Sequence, residues 1–76
     1  MTLADLKKGE SVKVVALKGD NTVRQQLISM GLTVGKVISL RNSAPFGDPR
    51  IYNVMGYELS LRNRDAQKIQ VEQAEA

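Results

Sequence analysis

Between Gly19 and Gly35 lies the one stretch of this chain with sustained helical periodicity; the rest is cut into short β-type runs by glycine, proline and asparagine. Val23, Leu27 and Met30 fall at i, i+4 and i+7, on one face of a helix, while Arg24, Gln25 and Ser29 point elsewhere. The spacing predicts a helix over about Thr22–Met30, capped by Asn21 or Thr22. Gly31 sits where a left-handed C-terminal cap is expected, because glycine has no Cβ to clash there. Leu32 can then fold back on the helix, and Gly35 opens the next strand.

The flanking runs read as strands. Ser11–Leu17 is rich in β-branched residues, and Lys36–Ala44 and Arg50–Val54 follow the helix. Tyr57, Leu59 and Leu61 alternate with Glu58 and Ser60, the clearest period-two segment. Ile69 and Val71 alternate with Lys68, Gln70 and Glu72. Met55-Gly56 reads as a tight hairpin turn. Ala44–Pro49 is a rigid turn in which Pro45 and Pro49 fix φ and remove two backbone donors. Short helical turns are expected at Leu3–Lys7, where Thr2-Leu3-Ala4-Asp5 has capping spacing, and at Asn63–Gln67. About five short strands with one inserted helix make a mainly β domain that closes best as a small barrel, since closure removes exposed edges. Residues 1–76 form one domain, with residues 73–76 expected to fray.

Composition narrows function by exclusion. There is no cysteine and no histidine, so disulfides, thiolate or imidazole metal sites and the usual neutral-pH proton shuttle are absent. An all-oxygen metal site would have to draw on dispersed carboxylates, and oxygen sets suit Mg²⁺ or Ca²⁺ better than iron or zinc. No activated nucleophile has an evident partner base. A chain of 76 residues without secretory or membrane-spanning signals and without staples is expected to be cytoplasmic, with no direct membrane insertion. The net charge of +3 is mild, and its eleven basic residues are spread along the chain, which argues against nucleic acid as a partner.

Gly31-Leu-Thr-Val-Gly35-Lys36 fails as a phosphate loop. It has one residue too few between glycines, Val37 in place of Ser or Thr, and the order helix, loop, strand rather than strand, loop, helix. Its plain reading is a helix cap and a strand-opening turn. Asp48 is expected to hydrogen-bond locally within its turn. Arg24 and Ile28 lie at i, i+4 on a helix face offset from the apolar stripe. Ile28 either packs at the core margin or forms, with Arg24, Gln25 and the Ala44–Pro49 loop, an exposed contact patch of the kind that anchors interfaces.

Four motifs in order resemble the FeoA family, the small cytoplasmic component of ferrous iron transport. They are L-x-x-L-x-x-G (Leu3, Leu6, Gly9), R-x-x-L-x-x-M-G-L-x-x-G (Arg24, Leu27, Met30, Gly31, Leu32, Gly35), A-P-F-G-D-P (Ala44–Pro49) and L-x-L-R-x-x-D-A (Leu59, Leu61, Arg62, Asp65, Ala66). The resemblance covers essentially the whole chain. It implies an SH3-like barrel with an inserted helix and a role as accessory partner of FeoB, the permease with a cytosolic GTP-binding domain. A non-enzymatic regulator without cofactor is expected, docking on that domain to modulate Fe(II) uptake. Its expected contact residues are Arg24, Gln25, Ile28, Pro45, Phe46, Gly47 and Asp48. Leu27, Met30, Gly31, Gly35 and Pro49 are expected to be structural. The alternatives are an arginine supplied in trans to GTP hydrolysis (Arg24 or Arg50), a small-barrel nucleic-acid binder, and an interaction module like that of iron-dependent regulators. Pairing of hairpin edges leaves a homo-oligomer open.

Overall fold

The computed structural model describes residues 1–43, 45 and 47–74. A 3₁₀ turn (Leu3–Asp5) is followed by β1 (Ser11–Leu17), α1 (Asn21–Ser29), β2 (Val37–Ser43), β3 (Arg50–Val54), β4 (Tyr57–Leu61), α2 (Asn63–Ala66) and β5 (Ile69–Gln73). The strands form one antiparallel sheet in the order β4-β3-β2-β1-β5. Register shifts between Val14 and Ala16 and between Leu40 and Asn42 bend the sheet around its core.

The core follows from strand alternation. Val12 and Val14 of β1, Ile38 and Leu40 of β2, Tyr52 and Val54 of β3, and Ile69 and Val71 of β5 all point inward and are buried. Leu3 and Leu6 cover this face from the N-terminal turn, and Leu27 and Leu32 cover it from α1 and its exit. Val23, Met30 and Leu59 pack at the margin. Each fully buried aliphatic side chain stabilises the fold by roughly 1.5–3 kcal/mol, so these few residues carry the domain.

The N-terminal turn is held by side chains of β3. The Arg50 guanidinium donates to the carbonyls of Ala4 and Leu6 and, at 3.4 Å, to that of Leu3. Tyr52 Oη donates to Leu3 O at 3.1 Å from inside the core. Arg50 Cζ also lies 5.9 Å from the Tyr52 ring centroid. A cation thus satisfies the carbonyls that a short helical turn leaves open.

Several boundaries differ from expectation. Asp20, not Asn21 or Thr22, caps α1, its carboxylate accepting from Val23 N at 2.9 Å. All three residue types cap well, and the chain enters the helix one residue earlier than the apolar stripe indicates. Met30 is the C-cap rather than the last helical residue. Residue 73 does not fray: Gln73 pairs with Val12, and Ala74 N donates to Ser11 O at 3.2 Å, because β1 is long enough to carry β5 further. The rest of the expected frayed tail, residues 75 and 76, lies outside the described residues, as does Ala44 at the expected end of β2. The ladder ends at β4 and β5, which are not hydrogen-bonded to each other.

Candidate functional site

The exit of α1 is a double-bonded cap. Gly31 N donates to Ile28 O at 2.9 Å and Leu32 N to Leu27 O at 3.1 Å, the paired pattern of a Schellman motif. Gly31 has φ +89°, and a Cβ there would overlap Tyr57 Oη. That hydroxyl donates to Met30 O at 2.7 Å, fastening the helix end to the start of β4. Leu27 is buried in the core, Met30 packs at its margin, and Gly31 lies against Tyr57 Oη. Gly35, with φ +95°, makes the turn into β2, its N–H donating to Val14 O at 2.8 Å.

The outer face of α1 carries no charge partner among the described residues. Arg24 and Gln25 are exposed, and Ile28 is 41% exposed, more open than a core-margin position. Asn21, Thr22, Gln25, Gln26 and Ser29 line a shallow depression beside them. This surface offers amides, hydroxyls, one guanidinium and one aliphatic side chain, a set suited to contact rather than to bond-making.

The loop between β2 and β3 is built differently from its sequence reading. Among the described residues Asp48 makes no bond within its own turn. Its carboxylate accepts from Asn63 N at 2.9 Å, where α2 begins, and Asn63 Nδ2 donates to Gly47 O at 3.0 Å. A loop residue thus caps a helix fifteen positions away, which neither turn chemistry nor local spacing could indicate. The Asp48–Pro49 peptide bond is cis. Pro45 and Pro49 are exposed and Gly47 half-buried, while Phe46 lies outside the described residues.

These two expected contact regions are anchored at opposite ends of β4. The helix end is tied to Tyr57 at its start, and the loop to Asn63 just beyond its end. Five extended residues span roughly 15 Å. The sequence reading combined the regions into one patch; the structure ties them to the two ends of one short strand.

Arg50 is not available as a trans-acting arginine, because its guanidinium is turned inward onto the N-terminal turn. Sequence reasoning missed that role, since the carbonyls it serves lie more than forty positions upstream. Burial raises the Tyr52 hydroxyl above its ordinary value, an effect partly offset by the Arg50 charge. Among the described residues no group of three or more carboxylates converges on a candidate cation site, and no helix is long and apolar enough to cross a membrane.

Residues 1–73 match the FeoA domain family. The chain is 39% identical over 72 residues to a fusion of Fe(2+) transport protein A with the Fe(2+) transporter FeoB from Porphyromonas gingivalis; the match spans 95% of this chain and 8% of that protein. The solution structure of a FeoA-like protein from Clostridium acetobutylicum superposes with a TM-score of 0.90 at 33% identity, covering 100% of this chain and 88% of that one. FeoA of Stenotrophomonas maltophilia complexed with zinc, described as a procaryotic SH3 domain protein, superposes with a TM-score of 0.81 at 22% identity, over 95% of this chain and 89% of that one. This last likeness shows a shared SH3-type fold.

Proposed function

The chain belongs to the FeoA family, and on that premise we propose that it is a non-enzymatic accessory of ferrous iron transport that docks on a FeoB-like permease and modulates its cycle. The observation that carries this reading is the fused relative, in which an FeoA protein and the FeoB transporter share one polypeptide. Covalent joining raises the effective concentration of two modules and favours pairs that work in contact. The absence of histidine and cysteine from the sequence supports action by binding rather than by catalysis.

Within that reading the docking target is the cytosolic GTP-binding region. The contact surfaces are the outer face of α1 at Arg24, Gln25 and Ile28, and the loop at Pro45, Phe46, Gly47 and Asp48. The cytoplasm is the compartment in which such a partner is met.

The test is an amide-shift titration of this protein with the isolated GTP-binding domain of its own permease, in GDP and then in a non-hydrolysable GTP analogue. Localised shifts on α1 or the loop support docking, and a nucleotide difference makes the protein a sensor of the switch. Absence of shifts in both states overturns the assignment to that domain. The GTPase rate separates docking from catalysis in trans, since an arginine finger raises it by about 10³-fold or more.

A further inference from the structure

The two margins of the sheet are treated differently. Along β5, Val71 N donates to Met1 O at 3.0 Å and Thr2 bridges to Gln70, so N-terminal residues cover this edge. The gap beside β2 is likewise occupied, with Lys8 bridging to Leu40 and Gly9 N donating to Leu40 O at 3.2 Å. Nothing among the described residues covers β4.

The backbone of β4 presents a definite set of free groups. Met55 and Gly56, with φ +52° and +100°, make a two-residue turn, so the flanking pair Val54 and Tyr57 exchanges hydrogen bonds. Alternation then directs the N–H and C=O of Tyr57, Leu59 and Leu61 toward β3, and those of Glu58 and Ser60 outward. Arg62 continues the run in extended conformation (φ −73°, ψ 150°). On the solvent face the exposed side chains are Glu58, Ser60 and Arg62, an acid and a base placed symmetrically about a small residue.

We propose that two copies of this chain pair antiparallel along β4, with the two-fold axis at Ser60. That register sets Glu58 of each copy opposite Arg62 of the other, and Ser60 opposite Ser60. The backbone groups of Glu58 and Ser60 face outward at these pairs, and Arg62 brings its N–H, its carbonyl being taken by Asp65 N and Ala66 N at 3.0 Å. Sliding one way sets Glu58 opposite Ser60 and then Glu58 opposite Glu58; sliding the other way sets Arg62 opposite Ser60. Only the Ser60-centred register matches opposite charges, and like charges directly opposite are destabilising. An edge blunted against every partner would carry one sign of charge; this edge is complementary to itself. Arg62 makes no ion pair with any described carboxylate, and Glu58 reaches only the exposed Arg41 at 3.4 Å. On the inner face the half-buried Leu59 falls opposite Leu61 of the other copy.

Sedimentation equilibrium across micromolar to millimolar concentration tests the pairing. Wild type is expected to move from monomer to dimer. Arg62→Glu, which sets two acids face to face at each Glu58, is expected to weaken the dimer at least tenfold. Glu58→Arg combined with Arg62→Glu restores the complementarity and is expected to recover most of that loss. Ser60→Pro removes an outward donor without touching the β3 ladder and is expected to abolish the dimer, with amide spectra checking the fold. A wild type that stays monomeric at millimolar concentration, or a dimer that Arg62→Glu leaves unchanged, overturns the proposal.

Discussion

Tyr57 Oη occupies the space that a side chain on Gly31 would take, and from there it donates to the carbonyl of Met30. One glycine therefore serves twice: it adopts the left-handed conformation that ends α1, and it leaves room for the hydroxyl that binds the helix to β4. Gly31→Ala meets both demands at once. The variant is expected to lose about 2–3 kcal/mol, about half from the left-handed backbone and half from the displaced hydrogen bond. Tyr57→Phe alone should cost about 1 kcal/mol. Urea unfolding of the two variants and their combination checks this, and the combination should cost less than the sum because the Oη overlap is gone.

Arg50→Ala should be among the most damaging substitutions outside the apolar core, at about 2–3 kcal/mol. It strips the carbonyls of Leu3, Ala4 and Leu6 of a charged donor. Arg50→Lys keeps the charge but loses the fork that serves several carbonyls together, and should recover less than half of that loss. Urea midpoints for the two variants measure the difference.

Stability should fall in alkali through Tyr52. Its hydroxyl is held above the ordinary value of 10.0, chiefly by burial. The folded protein therefore keeps a proton that the unfolded chain releases first. The stabilisation is complete below pH 10.0 and is lost as pH rises from there through the folded-state pKa. Tyr52→Phe should flatten this limb relative to wild type, with a constant offset of about 1 kcal/mol for the lost bond to Leu3 O. Unfolding free energies from about pH 8 to about pH 12 provide the comparison.

Met55 holds a positive φ of 52° at the β3–β4 turn, where asparagine or glycine is less strained. Met55→Asn should raise stability by about 0.5–1 kcal/mol and move the thermal midpoint up. Since the side chain is exposed, no packing is lost.

Arg24→Ala with Ile28→Ala should leave unfolding free energy within about 0.5 kcal/mol of wild type, as surface positions do. If α1 is the docking face, the same variant should bind the permease domain at least tenfold more weakly by titration calorimetry. Unchanged affinity would leave the Pro45–Asp48 loop as the remaining surface.

Local chemistry made much of this fold legible. The Val23, Leu27, Met30 stripe placed the inserted helix, Gly31 marked its end, and Met55-Gly56 marked the hairpin, because each signal is complete within a few residues. What escaped prediction is long-range. Asp48 reads as a turn residue and becomes a helix cap only because Asn63 is folded beside it. Arg50 reads as a surface cation and becomes a clasp only because the N-terminal turn lies under β3. The bulges near Val14 and Leu40 have no signature in the sequence, since they arise from bending the sheet around its core. The same reason hid how the two expected contact regions are tethered: spacing along a chain carries no information on which end of β4 each will be fastened to.

The N-terminal turn takes its bonds from Arg50, Tyr52 and β5, and β1 takes half its ladder from β5. During synthesis the N-terminal turn and β1 thus wait on β5 for part of their bonds after β2 and β3 have supplied the rest. This domain completes its sheet in one late event, and its folding speed is governed by how fast the two ends of the segment find each other.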